Sequence, residues 1–160
     1  MSDGEHRFMT EERVMIREVA REFTLKEVLP LANELDPIHG EIPLSLRDKL
    51  AEMGYFGIRL PLEYGGSGLG CFEYCLIAEQ LARGWMSVAS LIARGNGTLM
   101  IDLLSDEQRQ DLLPRIARGE YLAAISLSEP DTGSDLASIS CRAVRDGQEW
   151  VITGNKYWCT

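Results

Sequence analysis

The spacing of apolar residues changes at Tyr121, and that change limits the chain to a helical domain followed by a sheet. Before it the rhythm is helical. Met15, Ile16, Val19, Ala20 and Phe23 form a stripe at helical spacing behind Thr10, a good N-cap, and behind Glu11 and Glu12, whose charges suit the positive end of a helix dipole. Pro30 is expected to kink or end this helix, and Pro37, Gly40 and Pro43 mark a loop. Leu46, Leu50 and Met53 share one face of a second, short helix, with Gly54 as its C-cap. Phe72 to Ala82 is apolar nearly all round, the pattern of a central buried helix, and Gly84 ends it. Ser87 to Leu104 reads as a further helix interrupted at Gly95-Asn96-Gly97, where close packing is the expected reason for the glycines. Ser105-Asp106-Glu107-Gln108 is a capping box; Leu112, Leu113 and Ile116 carry the buried face behind it, and Gly119 closes the helix. At least five helices are therefore expected before Gly119.

After Tyr121 the runs are short. Leu122 to Leu127 reads as a buried strand. Ile139 to Arg145 and Trp150 to Thr153 read as two strands joined by Asp146-Gly147, a hairpin signal, and a third run begins at Lys156 and reaches Thr160. A few short strands with no covering layer and an open edge make a poor domain, so the chain reads as a piece of a longer protein.

Composition excludes some partners. Apolar residues are 45% of the chain and charged residues 26%, as in soluble globular proteins. The net charge of −9 argues against sequence-independent binding to nucleic acid or to an anionic membrane, both of which need a positive surface. No apolar run is long enough to span a bilayer. Residues Met1 to Thr10 lack the apolar core of a secretory signal, and Asp3, Glu5, Glu11 and Glu12 argue against a transit peptide, which leaves a cytoplasmic setting as the default. Cys71, Cys75, Cys141 and Cys159 have no disulfide-framework spacing and are expected to be buried core thiols. Cys71 and Cys75 lie one helical turn apart, but with only His6 and His39 to add, no metal site is expected.

Two glycine-bearing segments invite a ligand. Tyr64 to Gly70 is rich enough in glycine to suggest a phosphate cradle. However, no β-branched strand precedes it, Cys71 breaks the G-x-G-x-x-G spacing, and no Gly-Lys-Ser/Thr follows, so a tight connection between helices is the better reading. Ile125 to Asp135 runs a strand into a polar turn in which Pro130 fixes one backbone angle, Gly133 frees another, and Ser134 and Asp135 can bond locally. Such turns expose backbone N–H groups at a strand end, where a polar or anionic ligand can sit. A plain Glu-Pro turn without a ligand is the alternative.

The pattern Ser128-Glu129-Pro130-x-x-Gly133-Ser134-Asp135, then Asp146-Gly147, then Gly154-Asn155-Lys156-x-Trp158-x-Thr160, resembles the two flavin-contacting segments of acyl-CoA dehydrogenases. Leu60-Pro61-x-x-Tyr64-Gly65-Gly66, Glu79-Gln80-Leu81-Ala82 and Leu112-Leu113-Pro114 fit upstream, so the resemblance covers nearly the whole chain. It implies a mainly α chain: an N-terminal helical bundle domain over residues 1–120, then the first strands of a β-barrel-like, flavin-binding middle domain over residues 121–160, the chain being truncated there. It implies FAD, and α,β-dehydrogenation of an acyl-CoA in fatty acid metabolism: a carboxylate removes the α proton while a hydride passes from the β carbon to flavin N5. It implies an electron-transfer flavoprotein as electron acceptor and a homo-oligomer at full length.

Carried onto this sequence, the resemblance assigns Ile125, Ser126, Leu127, Ser128, Trp158, Cys159 and Thr160 to the cofactor and Ser134 to the CoA part of the substrate. Ser128 stands where Thr is frequent and keeps the hydroxyl; Asp131 and Thr132 replace small residues, which bears on substrate preference. The family's base lies further downstream, so no catalytic residue is expected here and this chain alone is expected to be inactive. Glu129, Asp131 and Asp135 read as turn and hydrogen-bonding carboxylates. The same scaffold could serve a flavin monooxygenase or oxidase, and a non-catalytic helical interaction module is the reading from another class.

Overall fold

The computed structural model describes residues 8–159, so His6 and Thr160 lie outside the described residues. The chain divides into two compact units between Leu122 and Ala123. The first unit is helical. Its helices are α1 (Glu11–Phe23), α2 (Leu29–Leu35), α3 (Leu44–Glu52), α4 (Cys71–Gly84), α5 (Met86–Gly95) and α6 (Asp106–Ala117). The Thr10 hydroxyl caps α1 by accepting from the Arg13 amide at 3.3 Å. Ser105 and Gln108 form both bonds of the capping box that starts α6.

Pro30 does not end the first helix. It sits in the first turn of α2, and α1 runs into α2 through a π-helical turn over Thr24–Val28. A proline ring crowds the carbonyl four residues earlier, and a wider i→i+5 turn, here closed by Leu29 N–H on Thr24 O, relieves that crowding without stopping the helix.

The core gathers α1, α3, α4 and α5 around the irregular segment 55–60. Phe56, Leu50, Leu81, Val88 and Ile92 are wholly enclosed within it. Gly95 ends α5 against that segment: a Cβ there would stand 2.4 Å from Phe56 O. The glycines between Tyr64 and Gly70 form the expected connection, since Ser67, Gly68 and Leu69 donate their N–H groups to Gly57, Leu60 and Ile58 carbonyls at 2.8, 2.9 and 2.9 Å. A smaller cluster of Leu60, Leu113 and Ala117 anchors α6.

The cysteine expectation is corrected. Cys71, Cys75 and Cys159 are exposed and Cys141 is half-buried. In α4 the buried side chains are Leu76, Ile77, Gln80 and Leu81, and Cys71 and Cys75, one turn apart, fall on the other face. Among the described residues no three His, Cys, Asp or Glu side chains converge as a metal site, and no helix is long and apolar enough to cross a membrane.

The second unit is built on an antiparallel hairpin of β1 (Arg142–Asp146) and β2 (Glu149–Thr153), in register from Arg142 opposite Thr153 to Asp146 opposite Glu149. Gly147 takes the left-handed angle (φ 61°) that a two-residue hairpin turn requires. All ten strand residues are exposed. A single 3-10 turn, Leu136–Ser138, interrupts the expected run of strands. Residues 122–127 are not a strand and are largely exposed, and 156–159 are not one either. A strand is defined by its partner's ladder, and among the described residues no backbone bond joins 122–127 to 156–159; Tyr157 N–H donates instead to Ser128 O at 2.8 Å, just beyond the first segment.

Candidate functional site

Glu129 organises the second unit. It is 6% exposed, and both carboxylate oxygens are in use. One accepts from the Ser140 amide at 2.8 Å and the Ser140 hydroxyl at 2.7 Å. The other accepts from the Cys141 amide at 2.8 Å and from Lys156 Nζ at 3.0 Å. The Ser140 hydroxyl and amide, with Lys156 and the Cys141 amide behind them, hold the carboxyl down at about 2. Glu129 is therefore an anchor in its charged form. Its own backbone closes the following turn: Glu129 N–H donates to Thr132 O at 2.8 Å and Thr132 N–H to Glu129 O at 3.2 Å, around Pro130 and Asp131. Ser138 Oγ donates to Asp135 at 2.5 Å, so the second carboxylate of the turn ties down the short helical turn Leu136–Ser138.

This anchor draws together two segments far apart in sequence. Lys156 Nζ donates to Leu127 O at 2.9 Å while it pairs with Glu129. Tyr157 N–H donates to Ser128 O, and the Ser126 hydroxyl lies 2.8 Å from Cys159 Sγ. Residues 126–128 thus lie beside 156–159. Among the described residues the N–H groups of 125–128 donate to nothing, and the Ser128 hydroxyl has no partner. Between two tied neighbours, Trp158 stands 88% exposed with a left-handed backbone (φ 57°), a conformation rare for a bulky residue.

Of the residues singled out in the sequence, Ser126, Leu127, Ser128 and Cys159 are brought together by direct bonds, with Ile125 and Trp158 adjoining in the chain. Ser134 lies on the exposed bend beyond the Glu129 turn, bonded to none of them. Thr160 lies outside the described residues. The role of Lys156 was not read from the sequence. Its partners are Leu127 and Glu129, and nothing local distinguishes it from a solvated surface lysine.

Comparison with known proteins identifies the family of the chain. The family described as acyl-CoA dehydrogenase, N-terminal domain, matches residues 10–120. The chain is 41% identical over 154 residues to the (2S)-methylsuccinyl-CoA dehydrogenase of Cereibacter sphaeroides, covering 95% of this chain and 28% of that protein. Among solved structures, an acyl-CoA dehydrogenase from Geobacillus kaustophilus superposes with a TM-score of 0.84 at 33% identity, covering 96% of this chain and 40% of that one. A glutaryl-CoA dehydrogenase from Mycobacterium smegmatis in complex with FADH2 superposes with a TM-score of 0.83 at 28% identity, covering 96% and 40%. The chain thus spans well under half the length of these relatives.

Proposed function

The chain belongs to the acyl-CoA dehydrogenase family, and from that premise we propose that it supplies the helical domain and one side of the flavin site of an FAD-dependent oxidoreductase that dehydrogenates an acyl-CoA thioester. The observation that carries the reading is the alignment of 126–128 with 156–159, which leaves a row of unpaired donors beside an exposed Trp158. That set suits a flavin ring, which has a polar edge and a broad apolar face.

In this reading the N–H groups of Ile125, Ser126, Leu127 and Ser128, with the Ser128 hydroxyl, hold the cofactor's polar edge, and Cys159 and Thr160 continue that edge. A flavin bound there would supply the hydride acceptor that the dehydrogenation needs. Donors already fixed in place stabilise the negative charge that accompanies reduction, because they need no reorganisation as it develops. Trp158 covers the apolar face and excludes water. Ser134 contacts the CoA portion of the substrate. Glu129 positions the edge without taking part in proton transfer: a carboxyl held at about 2 with both oxygens engaged takes no proton at neutral pH. The α proton goes to a base outside the described residues, so this chain alone is inactive. An electron-transfer flavoprotein as electron acceptor and assembly into a homo-oligomer complete the proposal.

The experiment is anaerobic addition of acyl-CoA to protein expressed from the full reading frame, with the visible flavin band as readout. Bleaching is expected. Trp158→Ala is expected to lose FAD, whereas Thr160→Val is expected to keep it and reduce more slowly, by about the 1–3 kcal/mol that one such donor is worth. No bleaching with any acyl-CoA sinks the activity. Unchanged flavin content and reduction rate in both variants sinks the site.

A further inference from the structure

A pocket of about 240 Å³ lies against the π-helical turn and is lined by residues of the first unit, none of them assigned to the flavin. Its floor includes Gln80, which is only 5% exposed. The Gln80 amide has no hydrogen-bond partner among the described residues. Its polar atoms are not sealed from solvent, so a ligand or water entering the pocket is what can satisfy them. Two arginines, Arg21 and Arg83, line the same pocket. Arg83 has no ion pair among the described residues. Arg21 meets only Glu18, at 3.9 Å, and Glu18 is shared with Arg17 at 3.1 Å. On a chain of net charge −9, two under-neutralised arginines beside an unpaired amide form a local donor set whose one carboxylate contact among the described residues is the long Arg21–Glu18 pair.

The backbone explains why a cavity exists there. The π turn over Thr24–Val28 widens the α1–α2 helix. The Thr24 hydroxyl is spent on Ala20 O at 2.8 Å. Gly84 lets α4 close on that turn, since a Cβ would come within 2.5 Å of Thr24 Cγ2. This contact fixes the wall that carries Gln80 and Arg83. Leu25 and Leu29 add apolar lining.

We propose that this pocket binds a small aliphatic carboxylate, whose oxygens accept from the Arg21 and Arg83 guanidinium groups and the Gln80 amide while its hydrocarbon end lies against Leu25 and Leu29. The assignment does not depend on the flavin site. Guanidinium groups match carboxylate geometry in paired hydrogen bonds, and the volume is too small for a nucleotide-sized ligand.

The test is titration of the isotope-labelled 160-residue chain with butyrate, followed by NMR. Saturable shifts are expected at the Gln80 side-chain NH2 and the Leu25 and Leu29 methyl groups, weakening with added sodium chloride. Butan-1-ol, which keeps the tail without the charge, and inorganic phosphate, which keeps charge without the tail, are each expected to bind about tenfold more weakly or worse. Arg83→Gln, at an exposed position where folding is not at stake, is expected to weaken butyrate about tenfold, the loss of one charge-assisted bond. Gln80→Met, which keeps bulk and helix propensity, is expected to weaken it as well. Absence of saturable shifts overturns the proposal, as does butyrate binding unchanged in both variants. Phosphate binding as tightly as butyrate overturns the choice of an aliphatic carboxylate.

Discussion

Replacing Asn96 with alanine is expected to destabilise the helical unit by about 3 kcal/mol, a figure built from the bonds that the side chain makes. Asn96 is 3% exposed at the end of α5. Its Nδ2 donates to Tyr55 O at 2.7 Å and to Ile92 O at 2.9 Å, and its Oδ1 accepts from the Arg59 amide at 3.0 Å. Ile92 O also receives the Asn96 backbone N–H at 3.3 Å, which survives the substitution. Tyr55 O and Arg59 N have no other partner among the described residues. Each stranded group costs about 1–3 kcal/mol, with Arg59 at the low end because that residue is half-buried and its amide can reach water.

The assay is urea denaturation at neutral pH, followed by far-UV circular dichroism. Asn96→Asp separates hydrogen bonding from simple loss of bulk. It keeps the acceptor for Arg59 but loses both donors and sets a carboxylate against two carbonyl oxygens. It is expected to be less stable than Asn96→Ala at pH 7 and to regain stability as the pH falls and the new carboxyl gains a proton. An alanine variant within about 0.5 kcal/mol of the parent, the range of an inert surface change, would refute the reasoning. So would an aspartate variant as stable as the parent.

Two further outcomes follow from single residues. The folded-state pKa of Glu129 is depressed from 4.5 to about 2, so its stabilising bonds are fully present above 4.5 and are lost as pH falls through 2; the Ser140 and Cys141 amide resonances are expected to titrate with a midpoint near 2, and a midpoint near 4.5 would contradict the anchor. The Tyr55 hydroxyl is buried without a partner among the described residues, and burial pushes it up to about 12; Tyr55→Phe removes that unsatisfied group and is expected to raise the urea midpoint by the equivalent of about 1 kcal/mol, whereas a lower midpoint would reveal a partner in solution.

The helices were legible because their information is local. Thr10 and the Ser105–Gln108 box specify caps within a few residues, and the structure uses both; of the stripe from Met15 to Phe23, Ile16, Ala20 and Phe23 pack into the core while Met15 and Val19 stay exposed. The sequence was less informative where a long-range partner decides. The α1 stripe does not tell whether Pro30 breaks the helix or is absorbed by a π turn, since that depends on how Gly84 packs against Thr24. Residue type favours burial for Cys71 and Cys75, but the face of α4 is set by what Leu76, Ile77 and Leu81 meet. Leu122 to Leu127 has strand-like composition and no ladder, because strand identity belongs to a pair.

The candidate site shows the same division within a few residues. The Pro130 turn and the Asp146-Gly147 hairpin are written in local chemistry and could be anticipated. The bonds that make them one site join positions far apart: Glu129 to Ser140, Cys141 and Lys156, Leu127 to Lys156, Ser128 to Tyr157, and Ser126 to Cys159. No periodicity encodes such a set. A carboxylate before proline and a lysine before an aromatic residue each look like ordinary surface charge until they are placed together. Family resemblance reached the two segments as a pair, but it assigned roles to other residues of the motifs and left Glu129 as a local turn carboxylate and Lys156 without a role. The residues proposed to meet the cofactor are exposed and held by few bonds, whereas this ion pair, with one partner nearly buried and its charge fixed by four donors, sets where those residues stand. Substitution at Glu129 is therefore expected to disturb Ser128 and Tyr157 together, whereas substitution at Trp158 leaves the anchor in place.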